Sequence, residues 1–195
     1  GSWGSPGSFS FTHSAEDAHS ALAFLRDPAT VAKYAIDPAR IAVAGHSMGG
    51  FMAADAAADD KGVVGLFLID AWNIGATADT LHSPAGQQAW QQDIAGNLPP
   101  LAGTSGQALT DEILGNPARF DLRLRIASYG HRPIAIYGAA RGIGPLNQSY
   151  ADAAKAAGNA QVTIAVWPTD HPFSDMRIAL SQALVNWLQS LDKAR

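Results

Sequence analysis

The sequence predicts an α/β fold, a parallel sheet covered by helices on both faces, and three observations carry that prediction. Apolar, β-branched runs at 41–44, 62–69, 133–137 and 161–167 alternate with segments of helical composition. The second of these runs is apolar throughout, as a strand buried on both faces should be. The first leads through Gly45-His46-Ser47-Met48-Gly49-Gly50 into the alanine-rich 51–58, so a strand turns sharply into a helix at a serine.

Taken in order, the opening Gly1-Ser2-Trp3-Gly4-Ser5-Pro6-Gly7-Ser8 is loop chemistry and not a strand. Ser14 with Asp17 three residues on reads as an N-cap for a helix over 14–26, with Ala18, Ala21, Leu22 and Leu25 as its apolar face. Asp27-Pro28 stops that helix, and a short turn over 31–34 leads towards Asp37-Pro38 and the first strand. Residues 73–129 break the alternation. They hold Trp90, two polar-rich helical patches, the Leu98-Pro99-Pro100-Leu101 break, and Asn116-Pro117 as N-cap and first residue of a helix through 126. The stretch reads as a cap or lid inserted in a single domain, 1–195; ordinary surface helices are the plainer alternative. Alternation resumes at Pro133. A helix over 148–157 is closed by Gly158, and an amphipathic helix from Ser174 turns Leu180, Leu184, Trp187, Leu188 and Leu191 inward.

With 47% hydrophobic and 15% charged residues over 195 positions, the chain has the composition of a folded domain with a sizeable core. A net charge of −4 without a basic run disfavours nucleic acid and anionic membrane as partners. No cysteine is present, so disulfides and thiolate metal sites are excluded. No membrane-span length and no signal segment stand in the sequence, and the expected location is cytoplasmic. The first residue is glycine, which fits a tag remnant or a start partway through a longer parent.

A serine at a strand-to-helix turn is held in a strained conformation with its hydroxyl lifted above the sheet edge. Gly45 and Gly49 lack the Cβ atoms that are expected to collide where strand and helix pack so closely, and the Met48 N–H, at the helix start, can face a developing oxyanion. A phosphate-binding glycine turn is the alternative, but no Lys-Ser/Thr follows the glycines. Serine needs a base, and among six histidines His171 is best placed, in Pro168-Thr169-Asp170-His171-Pro172 beyond the last strand. His46 should point away from the reacting face, while His13, His19, His82 and His131 read as ordinary polar residues.

The stretch Asp37-Pro38-Ala39-Arg40-Ile41-Ala42-Val43-Ala44 followed by the elbow, together with Asp170-His171-Pro172-Phe173-Ser174-Asp175, resembles the α/β-hydrolase superfamily, notably its dipeptidyl-peptidase-like and esterase-like members. The likeness runs through nearly the whole chain and is weakest over 73–129. It implies a partial α/β-hydrolase fold with a helical cap, Ser47 as nucleophile, His171 as general base and the Met48 N–H as an oxyanion donor. It also implies an acid after the penultimate strand in a Gly-x-x-Asp setting, where this chain has Gly138-Ala139-Ala140-Arg141-Gly142. Asp70, at the end of the strand after the elbow strand, is the best substitute, since some family lipases draw their acid from that place. A mere turn-capping role for Asp70 stays open, and Asp170 ranks lower because adjacent side chains in a loop diverge.

The activity this implies is hydrolysis of a small-molecule ester, ahead of a peptide or amide, through a Ser47 acyl-enzyme, with no cofactor and no metal. A catalytically impaired remnant serving as a binding or assembly module is the rival. The site walls should be apolar and small, from the alanine-rich helix with Trp72 and Trp90. The family plan has strands before the elbow, with a loop that supplies a second oxyanion donor, and this sequence starts after them. The elbow strand should then present an open edge, giving a homodimer or requiring a separate N-terminal partner chain, unless residues 9–12 fold back over it.

Overall fold

The computed structural model describes residues 1–193. Its first helix, α1 (Phe11–Arg26), starts three residues before Ser14. Ser10 is the N-cap, accepting from the His13 N–H at 2.9 Å, and the Glu112 carboxylate takes the Phe11 and Thr12 amides at 2.9 and 2.7 Å. A distant carboxylate thus satisfies the first-turn donors that local sequence leaves open, and the Ser14 hydroxyl bonds back to the Ser10 carbonyl. Asp27 ends α1 and also caps α2 (Pro28–Tyr34), so residues 31–34 close a helix instead of forming a free turn.

The elbow strand β1 (Ala42–His46) enters α3 (Met48–Asp59), and β2 (Gly65–Ile69) follows. Residues 62–64, expected within that strand, precede it: Asp60 holds the Gly62 and Val63 amides in a turn, and the Val64 N–H donates to the Ile41 carbonyl. Then come α4 (Thr77–Leu81), α5 (Pro84–Asn97), α6 (Gly106–Gly115) and α7 (Leu122–Tyr129). The helix expected from Asn116-Pro117 is instead a turn. The cap of α7 is Asp121, which accepts from the Arg123 N–H. β3 (Ile134–Arg141), a 3₁₀ turn (Gly144–Asn147), α8 (Gln148–Ala156), β4 (Val162–Asp170) and α9 (Arg177–Lys193) complete the described chain. Gly158 closes α8 at φ +87°, as its sequence position suggested.

All strand pairs are parallel in the order β1-β2-β3-β4. Successive residues of β2 face opposite ways: Leu66 and Leu68 join the core with Phe51, Ile126 and Tyr150, while Phe67 meets Trp187 of α9 at 5.3 Å. A Cβ on Gly65 would lie 2.7 Å from Trp187, so that glycine lets α9 approach the sheet. The inward face of α9 is covered in part only. Leu180, Leu184, Trp187 and Leu191 are half-buried, and Leu188, expected inside, is 40% exposed.

On the opposite layer, α3 is tied to the 116–129 region by its fully buried Asp55, which receives both terminal nitrogens of Arg119 at 2.7 and 3.0 Å. A buried carboxylate requires such partners. Among the described residues β1 pairs only with β2, so the elbow strand lies at the sheet edge. Residues 9–12 do not cover that edge. The Phe9 N–H donates to the Ala102 carbonyl, beside an antiparallel bridge between Ser2 and Leu101, and the 10–12 stretch is held by Glu112. No helix among the described residues is long and apolar enough to cross a membrane.

Candidate active site

Ser47 sits between β1 and α3 at φ +55°, ψ −123°, a conformation costly for a non-glycine residue. The end of β2 holds it there. The Ser47 N–H donates to the Ile69 carbonyl and the Trp72 N–H donates to the Ser47 carbonyl, both at 3.0 Å. Ser47 occupies the N-cap position of α3, yet its hydroxyl makes no capping bond, unlike Ser10, Ser83 and Ser105. The oxygen is therefore not spent on the helix it starts. Met48 is the first helical residue, where backbone N–H groups have no intrahelical acceptor.

Gly45 is required as expected, since a Cβ there would overlap the Gly49 carbonyl. Gly49 is not: a Cβ would meet nothing within 4 Å. The second close approach falls one residue later, at Gly50, whose Cβ would lie 2.6 Å from that of Ala71.

His171 follows directly on β4, and its Nδ1 lies 2.5 Å from Asp70 Oδ2. Asp70 directly follows β2 at φ +40° and is fully buried, while the His171 side chain is 36% exposed. The Asp70 carboxylate also accepts the Ala139 N–H at 2.9 Å and the Ile143 N–H at 3.1 Å. These donors satisfy a carboxylate that burial has cut off from water. With Nδ1–H donating to the carboxylate, the other ring nitrogen is left as the proton acceptor.

The structure thus brings Asp70 to His171 and does not bring Asp170, whose carboxylate takes the Ser174 N–H at 2.7 Å. That bond, with the weaker pull of Arg141, holds the Asp170 carboxyl below its usual value. Arg141 lies at the end of β3, which extends through the expected loop, and donates to the Pro168 carbonyl at 2.6 Å with Asp175 at 3.5 Å. Gly142 then makes room: a Cβ would fall within 3.0 Å of Asp70 Oδ2 and at 3.1 Å from His171 Cα. His46, as expected, does not line the site. It touches His171 from behind, its Nε2–H donating to the His171 carbonyl at 2.9 Å with ring centroids 4.5 Å apart.

Ser47, Met48 and His171 line one cavity of about 880 Å³. Trp72 and Trp90 belong to its wall as expected, but the alanines of α3 do not; they are buried in the core. Phe9, Phe11, Ile94 and Leu109 join the tryptophans instead, and the wall is aromatic and not small. Phe11 packs edge-on against Trp72 at 5.6 Å, and Trp72 lies 6.0 Å from Trp90. Both indole N–H groups point away to hydroxyls, Trp72 to Thr77 at 3.2 Å and Trp90 to Thr110 at 2.8 Å. Sequence reasoning missed Phe9 and Phe11, whose Phe-Ser-Phe spacing beside a glycine-rich loop was the available signal. Among the described residues no group of three or more His, Asp or Glu side chains could hold a metal ion.

A parallel sheet with a strained serine at a strand-to-helix turn, and a histidine–carboxylate pair at the C-terminal strand ends, defines a class of protein. A family model described as "Alpha/beta hydrolase family" matches residues 1–192, and the chain belongs to that family. No curated protein matches it. Among solved structures it is similar to an esterase of Rhizomucor miehei (18% identity, TM-score 0.62, 92% of this chain and 58% of that one). It is also similar to the thermostable carboxylesterase EstE1 from a metagenomic library (22%, TM-score 0.60, 94% and 64%). A third is the monoacylglycerol lipase of Paleococcus ferrophilus (15%, TM-score 0.59, 96% and 78%). At these identities the likeness is one of fold, and the chain spans less than two thirds of the length of the first two.

Proposed function

We propose that the protein hydrolyses carboxylic esters through an acyl-enzyme on Ser47. The observation that carries this is the buried Asp70 at 2.5 Å from His171 Nδ1, on the cavity that Ser47 lines. In this reading Ser47 Oγ attacks the ester carbonyl carbon as His171 Nε2 takes its proton, and the Met48 N–H, at the positive end of α3, stabilises the oxyanion. The tetrahedral adduct collapses, the C–O bond breaks, and His171 returns the proton to the leaving alcohol. Water then attacks the acyl-enzyme with His171 as base, releasing the acid and the free serine. Asp70 supports the imidazolium formed in each half.

The indole donors of Trp72 and Trp90 are already engaged, which suits a substrate with an apolar acyl or alcohol part against that side of the wall. Residues 73–129, whose α5 and α6 supply Trp90, Ile94 and Leu109, act as the cap over this cavity. The outer edge of β1, which has no strand partner among the described residues, supports pairing of two copies of the chain; sedimentation should give a dimer at micromolar concentration, and a stable monomer would reject that part.

Labelling with a fluorophosphonate tests the reaction. Wild type should label and turn over a p-nitrophenyl ester, Ser47→Ala should do neither, and His171→Ala should nearly lose both. Equal turnover by wild type and Ser47→Ala would overturn the proposal, and no labelling of wild type would favour a non-catalytic module.

A further inference from the structure

Asp70 is strained at φ +40°, and a strained residue persists only where its surroundings over-determine it. Two side chains hold the backbone just beyond it, and one of them, Asn147, makes most of the bonds. Asn147, fully buried at the end of the 3₁₀ turn, accepts the Ala71 N–H at 3.2 Å on Oδ1. Its Nδ2 donates to the Ala71 carbonyl at 3.3 Å and to the Ile143 carbonyl at 3.0 Å. The Tyr150 hydroxyl donates to the same Ala71 carbonyl at 3.2 Å.

We infer that Asn147, seconded by Tyr150, is the positioning residue for the acid of the triad. The inference rests on the reading of Asp70 and His171 given above. Ala71 follows Asp70, so clamping the polar groups of Ala71 sets the direction in which the Asp70 carboxylate leaves the backbone. Ile143 supplies one of the two amides that the carboxylate accepts, so the same Asn147 amide holds both the acid and its donor loop. An asparagine suits the task because it offers an acceptor and two donors from one planar group. Aspartate in its ionised form would face two carbonyl oxygens with no donor, and leucine of similar volume would leave the Ala71 N–H unmet while the Ala71 carbonyl kept Tyr150 and the Ile143 carbonyl kept the Leu146 N–H. Burial pushes the Tyr150 phenol above its ordinary value, which keeps that hydroxyl a neutral donor.

The test is ester hydrolysis by Asn147→Leu and Tyr150→Phe, with kcat expressed per serine titrated by a fluorophosphonate. For Asn147→Leu we expect kcat per titrated site to fall about 10- to 100-fold, as loss of orientation near a reacting group does. The acid limb of the pH–rate profile should move to lower pH, because the imidazolium has lost part of its carboxylate support. Tyr150→Phe should shift both in the same direction by about threefold or less, in line with one neutral hydrogen bond. A role in packing alone would lower the titratable fraction and leave kcat per site and the limb in place, which would overturn the inference. Should Asn147→Leu fail to fold, an unchanged limb in Tyr150→Phe overturns it equally. Absence of titratable serine in wild type would instead reject the esterase reading, so the two failures are distinct.

Discussion

Gly142→Ala is a small change whose effect the site geometry magnifies. Gly142 has no positive φ, so alanine meets no backbone strain there, and its cost is steric alone. The added methyl would fall within 3.0 Å of Asp70 Oδ2, 3.1 Å from His171 Cα and 3.2 Å from Ala139 Cβ. The nearest of these is the oxygen that holds His171 at 2.5 Å, so the methyl and the hydrogen bond compete for one place. Moving the carboxylate aside by on the order of 1 Å takes it out of line with Nδ1, and displacements of that size cost about 100-fold in rate. The packing term adds about 1–3 kcal/mol of lost stability. Steady-state hydrolysis of a short p-nitrophenyl ester, with kcat per titrated serine and a thermal melt of the same sample, reads both. Gly49→Ala is the control, since a methyl there meets nothing within 4 Å and alanine favours a helix. Wild-type kcat per site in Gly142→Ala would refute the claim that Asp70 works from the position it occupies.

Other expectations follow from the same contacts. Arg141→Asp, which would put the acid on the expected strand, should give no gain in rate, because Asp70 already holds His171; a large gain in the same assay would contradict this. Arg132 donates to the carbonyls of Ala57, Asp60, Val63 and Tyr129 at 2.7–2.8 Å, closing the ends of α3 and α7. Arg132→Ala should cost about 2–4 kcal/mol in urea unfolding with kcat per site unchanged. Burial works to raise the Asp121 carboxyl, but bonds from Arg123 and Asn73 outweigh it and hold the group below its usual value. A depressed folded-state value contributes stability above the unfolded value of about 3.9 and loses it as pH falls through the folded one. Asp121→Asn should therefore flatten the decline of stability below about pH 4, measured as midpoint against pH.

How far this was legible in the sequence divides by the range of the interactions. The elbow, the run of strands, the Gly158 cap and the place of His171 are written in neighbouring residues, through period, glycine position and turn chemistry. The misplaced boundaries have remote causes. The α1 start moved because Glu112, 101 residues away from Phe11, takes its amide. The helix start moved from Asn116 to Asp121 because that carboxylate serves both α7 and the Asn73 side-chain amide. Gly49 and Gly50 could not be told apart locally: the neighbour that decides between them, Ala71, comes from the next strand's end.

The acid shows the same division within one residue. Sequence order allowed Asp70, and a turn-capping role suited the same position equally well, since both need a carboxylate beyond a strand. The fold gives it both kinds of bond. Two backbone amides of the 139–143 segment bind the carboxylate as a turn cap would, and His171 Nδ1 takes a place on Oδ2. The capping bonds satisfy a fully buried carboxylate and leave one direction open towards the imidazole, as the proposed role of Asp70 requires. Arg141, which made the usual acid position look vacant, serves the neighbouring strand by reaching the Pro168 carbonyl of β4, three residues before His171. On the proposed reading, an acid placed just after β2 frees the end of β3 for holding the end of β4 that leads to His171, so the departure at Arg141 and the place of Asp70 are one arrangement.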